Sequence, residues 1–342
     1  MNLRYKNILY SLGLLSAMFL VWYYRQGNDV PMMTISGETM GTTYHISYFD
    51  EEQRNFKSQV DSLLTAFNNS LNTYLPHSEI SEFNQTGIFD FVSPYFLPVL
   101  ESSEEIVSMT DGAFDPTVMP LVNMWGFGPQ QNTSIDSAAV DSLRQFVGFE
   151  RMITFDKRQV TKQSGGSTLD FSAIAKGYGV DVVSQYLYDQ GMQSTFVEIG
   201  GEVVVRGKNL KTDKAWRIAI IDPQSKILNP EYIAYATLIN QAVATSANNF
   251  NYRIVDGKKY SHTLDPKSGY PIVHEILSAT VFTKQCMRAD ALATSFMVMG
   301  HEKAIKLIEE NADIDAFLIY TNPEGGISTY ISKGIKEQVE LL

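Results

Sequence analysis

The chain has a single cysteine, Cys286, among its 342 residues. That excludes an intrachain disulfide and any zinc site built on paired thiolates. Histidine is also scarce, five in all, and none falls in an H-E-x-x-H arrangement. There is no G-x-x-x-x-G-K-[ST] and no G-x-G-x-x-G after a strand-like run, so neither a P-loop nor a Rossmann site is supported. A G-x-S-x-G nucleophile elbow is missing too, which removes the common hydrolase reading. Positive charge is the remaining shortage: 27 Lys and Arg stand against 38 Asp and Glu, for a net charge of −11 with no basic run. Nucleic acid is therefore excluded as a partner, because phosphate binding needs a basic face.

What is present is ordinary globular material, 44% hydrophobic and 19% charged, enough for one large domain or two modest ones. Residues 1–30 read differently. After Arg4 and Lys6 comes ILYSLGLLSAMFLVWYY (8–24), 17 residues without charge and ending in aromatics suited to a membrane interface. No small-x-small cleavage site follows, and no cysteine is there for a lipid. The expectation is one uncleaved N-terminal membrane helix with the basic end inside and the domain exported; a cleaved signal peptide is the alternative. Residues 31–342 then form the domain, with a smaller subdomain inside it and no linker or repeat to divide it.

Within that domain TYHISYFD (43–50) alternates like a strand, and 55–71 carries helical spacing. Helices are predicted at 95–110, stopping at Asp111-Gly112, at 135–146, at 173–190 before Gly191, and at 301–310. A hairpin is predicted at 152–162, and strands on both sides of Gly200-Gly201, at 216–223, 232–246, 276–283 and 316–322. Strands in runs, interrupted by single helices without a βαβ beat, give an α+β fold of mixed or antiparallel sheets packed with helices.

Several segments combine Gly, Pro and Asp with aromatics in a way a plain core does not. In DGAFDPTVMPLVNMWGFGP (111–129), Asp115 precedes Pro116, which favours extended backbone and would aim the carboxylate outward. In LDFSAIAKGYGVD (169–181), Asp170 and Ser172 stand where a helix should start, and Lys176-Gly177 leaves room for another chain or a ligand. Gly200-Gly201 in VEIGGEVVVRG (197–207) marks a bulge or a close ligand contact. KKYSHTLDPKSGYPI (258–272) holds His262 and Asp265, a proton shuttle or merely a satisfied loop. In CMRADALATSFMVMG (286–300), Asp290 either caps a helix or joins Thr294, four residues on, in offering oxygens to a hard cation.

Together with GETMGTTYHI, TYLPHSEISEFN and ATSANNFNYRIVDGKKYSHTLDPKSGYP, these segments, in this order over residues 37–300, resemble the FAD:protein FMN transferase (ApbE) family. The resemblance implies an ApbE-like catalytic domain that cleaves FAD with Mg²⁺ and attaches FMN through a phosphoester to a Thr or Ser of a target protein, releasing AMP. It places FAD contacts at Met40, Tyr74, Ala113, Phe114, Asp115, Asp170, Lys176 and Ile272. Metal contacts fall on Ala173 through its carbonyl, Asp290 and Thr294. Ala293 stands where some members have an acid, and Ala247 where many have glycine. His262 and Asp265 are the candidates for activating the acceptor hydroxyl. The acceptor implied is a membrane redox subunit or an exported flavoprotein, and the location the periplasmic face of a bacterial inner membrane. Two other activities fit the same residues: a Mg²⁺-dependent FAD pyrophosphatase, and a flavin-binding protein without catalysis.

Overall fold

A computed structural model of the chain describes residues 3–26, 30–129, 137–226, 229–248, 252–255, 258–272 and 275–342. Helix α1 (Leu3–Gln26) is followed by a hairpin of β1 (Met32–Thr39) and β2 (Thr42–Phe49). Next come α2 (Lys57–Leu71), α3 (Glu79–Thr86), β3 (Ile88–Asp90), α4 (Phe96–Met109), α5 (Met119–Met124), α6 (Ser137–Arg144) and α7 (Phe149–Met152). The hairpin β4 (Ile153–Phe155) and β5 (Gln159–Lys162) leads to α8 (Ala175–Asp189), β6 (Thr195–Ile199) and β7 (Glu202–Arg206). Then follow β8 (Trp216–Ile221), β9 (Tyr232–Leu238), β10 (Gln241–Ala247), β11 (Tyr252–Val255), β12 (Lys258–Ser261) and β13 (Ile276–Thr283). Helices α9 (Cys286–Met299) and α10 (His301–Glu310) precede β14 (Asp315–Thr321), β15 (Ile327–Ile331) and β16 (Val339–Leu341).

The organising layer is an eight-stranded sheet, β1-β2-β6-β7-β10-β13-β14-β15, in which every neighbouring pair is antiparallel. The α+β expectation holds, with the sheet antiparallel rather than mixed. Its strands bury both faces. In β14, Ala316 and Leu318 join the core under the helices, while Phe317 and Ile319 join a second core. That second core is closed by a three-stranded sheet, β16-β9-β8, which contributes Trp216, Ile220, Ala234 and Leu238. Period-two alternation thus serves two apolar layers at once, which is why these strands read as near-continuous hydrophobic runs.

Four expectations are corrected. The run 232–246 is two strands in different sheets, broken where Asn240 takes φ 48° and its Oδ1 accepts from Gly207 N at 2.8 Å. Gly200-Gly201 is not a bulge but a two-residue hairpin turn, with φ of 61° and 101° matching the strand twist. Ala247 lies in β10 opposite Ser278, so it alters no turn. The last concerns the N-terminus. Among the described residues no helix is long and apolar enough to cross a membrane. Helix α1 does cover the expected stretch, but the side chains of residues 8–9 and 20–24 lie outside the described residues. Polar positions such as Asn7 and Ser11 dilute the rest. Its described side chains, residues 5–7 and 10–19, are all exposed and cover none of the domain core. Of the helix predicted at 135–146, residues 135–136 lie outside the described residues and Ser137–Arg144 is helical.

Candidate active site

Helices α8 and α9 meet at Gly177. A Cβ there would run into the Cys286 carbonyl oxygen and lie 2.8 Å from Asp290 Cβ, so only glycine permits the approach. The contact that Gly177 anticipated is therefore another helix of the same chain. At this crossing each helix supplies the N-terminal cap of the other. Asp181 of α8 accepts from Cys286 N at 2.9 Å and Met287 N at 2.8 Å, the first donors of α9. Asp290 Oδ2 of α9 accepts at 2.9 Å from Gly177 N, in the first turn of α8. These donors have no partner within their own helices, and the carboxylates satisfy them across the interface. Asp290 is thus not the cap of its own helix, which begins four residues earlier at Cys286 with Gln285 as its flanking residue. Likewise Asp170 does not cap α8. It folds an Asx turn onto Ser172 N at 2.9 Å, and the helix starts only at Ala175.

The Glu202 and Asp290 carboxylates at this crossing are buried, and Lys176 is half-buried. Glu202, at the start of β7, is ion-paired through Oε1 with Lys176, and Lys176 Nζ lies 3.8 Å from Asp290 Oδ1. Glu202 Oε2 is buried without a hydrogen-bond partner among the described residues. Burial pushes the Glu202 carboxyl up, against the pull of Lys176. Burial also works against the Lys176 ammonium, yet Asp290 and Glu202 hold it above its ordinary value. Asp181 is pushed up to about 7 by burial, although two backbone N–H groups favour its charged form. Neither Glu202 nor Asp181 was singled out in the sequence. The glutamate after Gly200-Gly201 and the aspartate of GYGVD carry no local signal that a neighbouring helix needs them.

Of the expected metal contacts, Asp290 and Thr294 do lie one turn apart on α9. Thr294 Oγ1 is 3.2 Å from Ser246 Oγ of β10. Ala173 sits in the turn just before α8, two residues from its start. A carboxylate, a hydroxyl and a peptide oxygen suit Mg²⁺, which prefers hard oxygens and keeps other shell positions for water or phosphate. Among the described residues no three His, Cys, Asp or Glu side chains form a metal cluster. One carboxylate with neutral oxygens fits a cation that takes the rest of its shell from water or a phosphorylated substrate.

Two of the expected flavin contacts, Asp170 and Tyr74, reach the 111–129 segment. Asp170 N donates to Pro116 O at 2.7 Å, and Tyr74, 60% exposed, points its hydroxyl at Phe127 O, 3.5 Å away. Burial and the nearby Asp170 raise the Tyr74 phenol, and burial raises Asp170 itself. Met40 occupies the β1–β2 turn with φ 49°, and its Cε sits where a side chain on Gly179 would be. One expectation changes here. The Asp115 carboxylate points inward: it is 7% exposed and accepts from Thr117 N, Thr117 Oγ1 and Phe149 N. These buried donors are satisfied by the carboxylate, and Asp115 braces the loop. Ala113, Phe114 and Ile272 are buried in the main core.

The loop bearing His262 is held against the same segment. Trp125 Nε1 donates to Gly269 O at 2.9 Å, and Phe127 lies edge-on to His262 with ring centroids 6.5 Å apart. Just after β10, Asn248 Oδ1 accepts from Ser261 Oγ at 2.8 Å and Thr263 Oγ1 at 3.1 Å, on both sides of the half-buried His262. Asp265 uses both carboxylate oxygens on its own turn, accepting from Lys267 N at 2.9 Å and Ser268 N at 3.3 Å. It shapes the loop.

Comparison with known proteins bears on the family and the fold. The model of a family described as the ApbE family matches residues 40–318. A protein of Vibrio cholerae named FAD:protein FMN transferase is 38% identical over 310 residues, covering 88% of this chain and 91% of the relative. Among solved structures, the flavin transferase ApbE of Vibrio cholerae superposes with a TM-score of 0.81 at 36% identity, covering 91% of this chain and 100% of that one. Pseudomonas stutzeri flavinyl transferase ApbE, in its apo form, gives 0.80 at 32% identity, covering 90% and 97%.

Proposed function

The chain belongs to the ApbE family, and on that premise we propose that it moves the FMN half of FAD onto a Thr or Ser hydroxyl of a target protein, releasing AMP, with Mg²⁺ bound at Asp290. The observation that carries the reading is the α8–α9 crossing, which brings Lys176, Asp290 and Thr294 to one place beside the segments expected to hold FAD. The acceptor oxygen attacks the FMN phosphorus, the bond to the AMP phosphate breaks, and its electrons leave with AMP. His262 takes the hydroxyl proton, because a neutral hydroxyl is a poor nucleophile. Lys176 places an ammonium toward the pyrophosphate, and Tyr74 offers an exposed ring for stacking. Mg²⁺, held by Asp290, Thr294 and the Ala173 carbonyl, would offset charge developing on the phosphate oxygens. The loop residues Asp115, Asp170 and Asp265 fix the walls around these groups.

The exported side of a bacterial inner membrane is the proposed location, supported by the exposed apolar side chains of α1 such as Leu12, Leu14 and Phe19. The acceptor is then a membrane redox subunit or an exported flavoprotein. Mixing the protein with FAD, Mg²⁺ and such an acceptor, followed by intact-mass spectrometry and an AMP assay, tests the reading. An acceptor heavier by one FMN, with the gain lost in EDTA, in Asp290→Ala and in His262→Ala, is the expected result. AMP and free FMN beside an unmodified acceptor would point to a pyrophosphatase, and no AMP at all to a flavin binder.

A further inference from the structure

At the α8–α9 crossing one ammonium serves two buried carboxylates. Lys176 Nζ is paired with Glu202 and lies 3.8 Å from Asp290 Oδ1, with both acidic side chains at most 5% exposed. Asp290 also holds Gly177 N through Oδ2, so Oδ1 is the oxygen turned toward the lysine. The lysine differs from its partners. Its side chain is 33% exposed and ends a flexible four-carbon stem, so the ammonium has room to move while the carboxylates do not. Glu202 keeps a second oxygen, Oε2, buried with no partner among the described residues, a spare acceptor for an ammonium that shifts toward it.

We propose that Lys176, held on Glu202, is the resident counter-cation of Asp290: it neutralises the carboxylate while no metal is bound, competes with the divalent cation, and withdraws from Oδ1 on the Glu202 side when that cation arrives. The inference rests on Asp290 being a metal ligand. Two cations cannot share Oδ1 at this separation in a buried setting, because like charges repel strongly where solvent screening is weak. Lys176 therefore weakens metal binding to the FAD-free protein. Glu202 is the positioning residue that keeps the displaced ammonium at the site, available to an incoming pyrophosphate.

Mn²⁺ binding to the FAD-free protein, followed by electron paramagnetic resonance, tests this without relying on turnover. Three proteins are compared: the wild type, Lys176→Met, and Lys176→Met with Glu202→Gln. The double variant removes both charges of the pair, so no buried glutamate is stranded and the fold is preserved. Both variants should bind Mn²⁺ about 10-fold more tightly than the wild type, the usual scale of coupling between two ligands. Added Mn²⁺ should also raise their Tm more, and Asp290→Asn should abolish binding in each background. Affinity equal to or weaker than the wild type in both variants would overturn the competition. No Mn²⁺ bound by any of the three, with FMN transfer persisting in EDTA, would instead remove the metal reading of Asp290 itself.

Discussion

Gly177 shows how far one residue controls the site. Alanine in a helix interior is ordinarily better than glycine by about 0.5–1 kcal/mol. Here the added methyl meets the Cys286 carbonyl and Asp290 Cβ, the latter at 2.8 Å, and overpacking of that kind costs about 1–3 kcal/mol. The steric cost wins. Gly177→Ala is expected to lower stability in urea denaturation and to depress FMN transfer, because it pushes Asp290 away from Lys176; an unchanged or stabilised protein would contradict the close crossing. A second residue-scale prediction concerns Asn68. Its Nδ2 donates to Thr39 Oγ1 at 2.9 Å, and its Oδ1 accepts from Asn72 Nδ2 at 3.0 Å. Asn72 Oδ1 accepts in turn from Tyr74 N at 2.9 Å. This relay ties the Met40 turn to the Tyr74 loop. Loss of about 1–2 kcal/mol of hydrogen bonding in Asn68→Ala should raise KM for FAD by about 5–30-fold with little change in kcat. A fall confined to kcat would show that the relay does not position the flavin contacts.

At the scale of elements, the reciprocal capping of α8 and α9 couples stability to pH through Asp181. Its folded pKa is about 7, against the ordinary carboxylate value of 3.8 that it takes in the unfolded chain. Between these values the native state keeps a proton that the unfolded state has lost. The stability this group contributes is therefore full below pH 4 and declines as pH rises to about 7, by up to about 1.4 kcal/mol per unit. Asp181→Asn removes that titration while retaining one carbonyl acceptor for the α9 donors. Urea midpoints measured from pH 4.5 to 7.5 should fall less steeply with rising pH in the variant than in the wild type. Parallel curves would mean that Asp181 is ionised in the native state throughout this range. The short hairpins act differently, since they set register. The Met40-Gly41 and Gly200-Gly201 turns each join neighbouring strands without slack, which puts Glu202 at the first position of β7 and faces it to Lys176.

For the whole molecule, the antiparallel sheet is a partition between a helical layer that carries the site and a small sheet that closes the opposite face. Helix α1 belongs to neither layer, because its described side chains are exposed and β1 begins only at Met32. A chain starting at residue 31 should keep the Tm and FAD affinity of the full chain, while only the full chain should sediment with lipid vesicles. A large loss of Tm on truncation would show that α1 packs on the domain, and equal sedimentation would remove its role in membrane attachment.

The sequence alone determined most elements and the family's chemistry, because both rest on local signals. Alternation marked β2, apolar runs marked β8 and β13, and Gly191 and Asp111-Gly112 closed helices where they were expected. Ordered motifs located Asp290, Thr294, Lys176 and His262. What failed to show locally were the partners. Asp181, Glu202 and Asn248 act on groups 105, 26 and 13 residues away, and no short-range pattern records such a distance. The same is true of orientation. Asp115 turned inward because buried N–H groups at Thr117 and Phe149 had to be satisfied, and Asp290 left its own helix end because a neighbouring helix needed an acceptor. Which face a carboxylate serves is decided by what other elements bring within hydrogen-bonding reach, and only the tertiary structure brings them there.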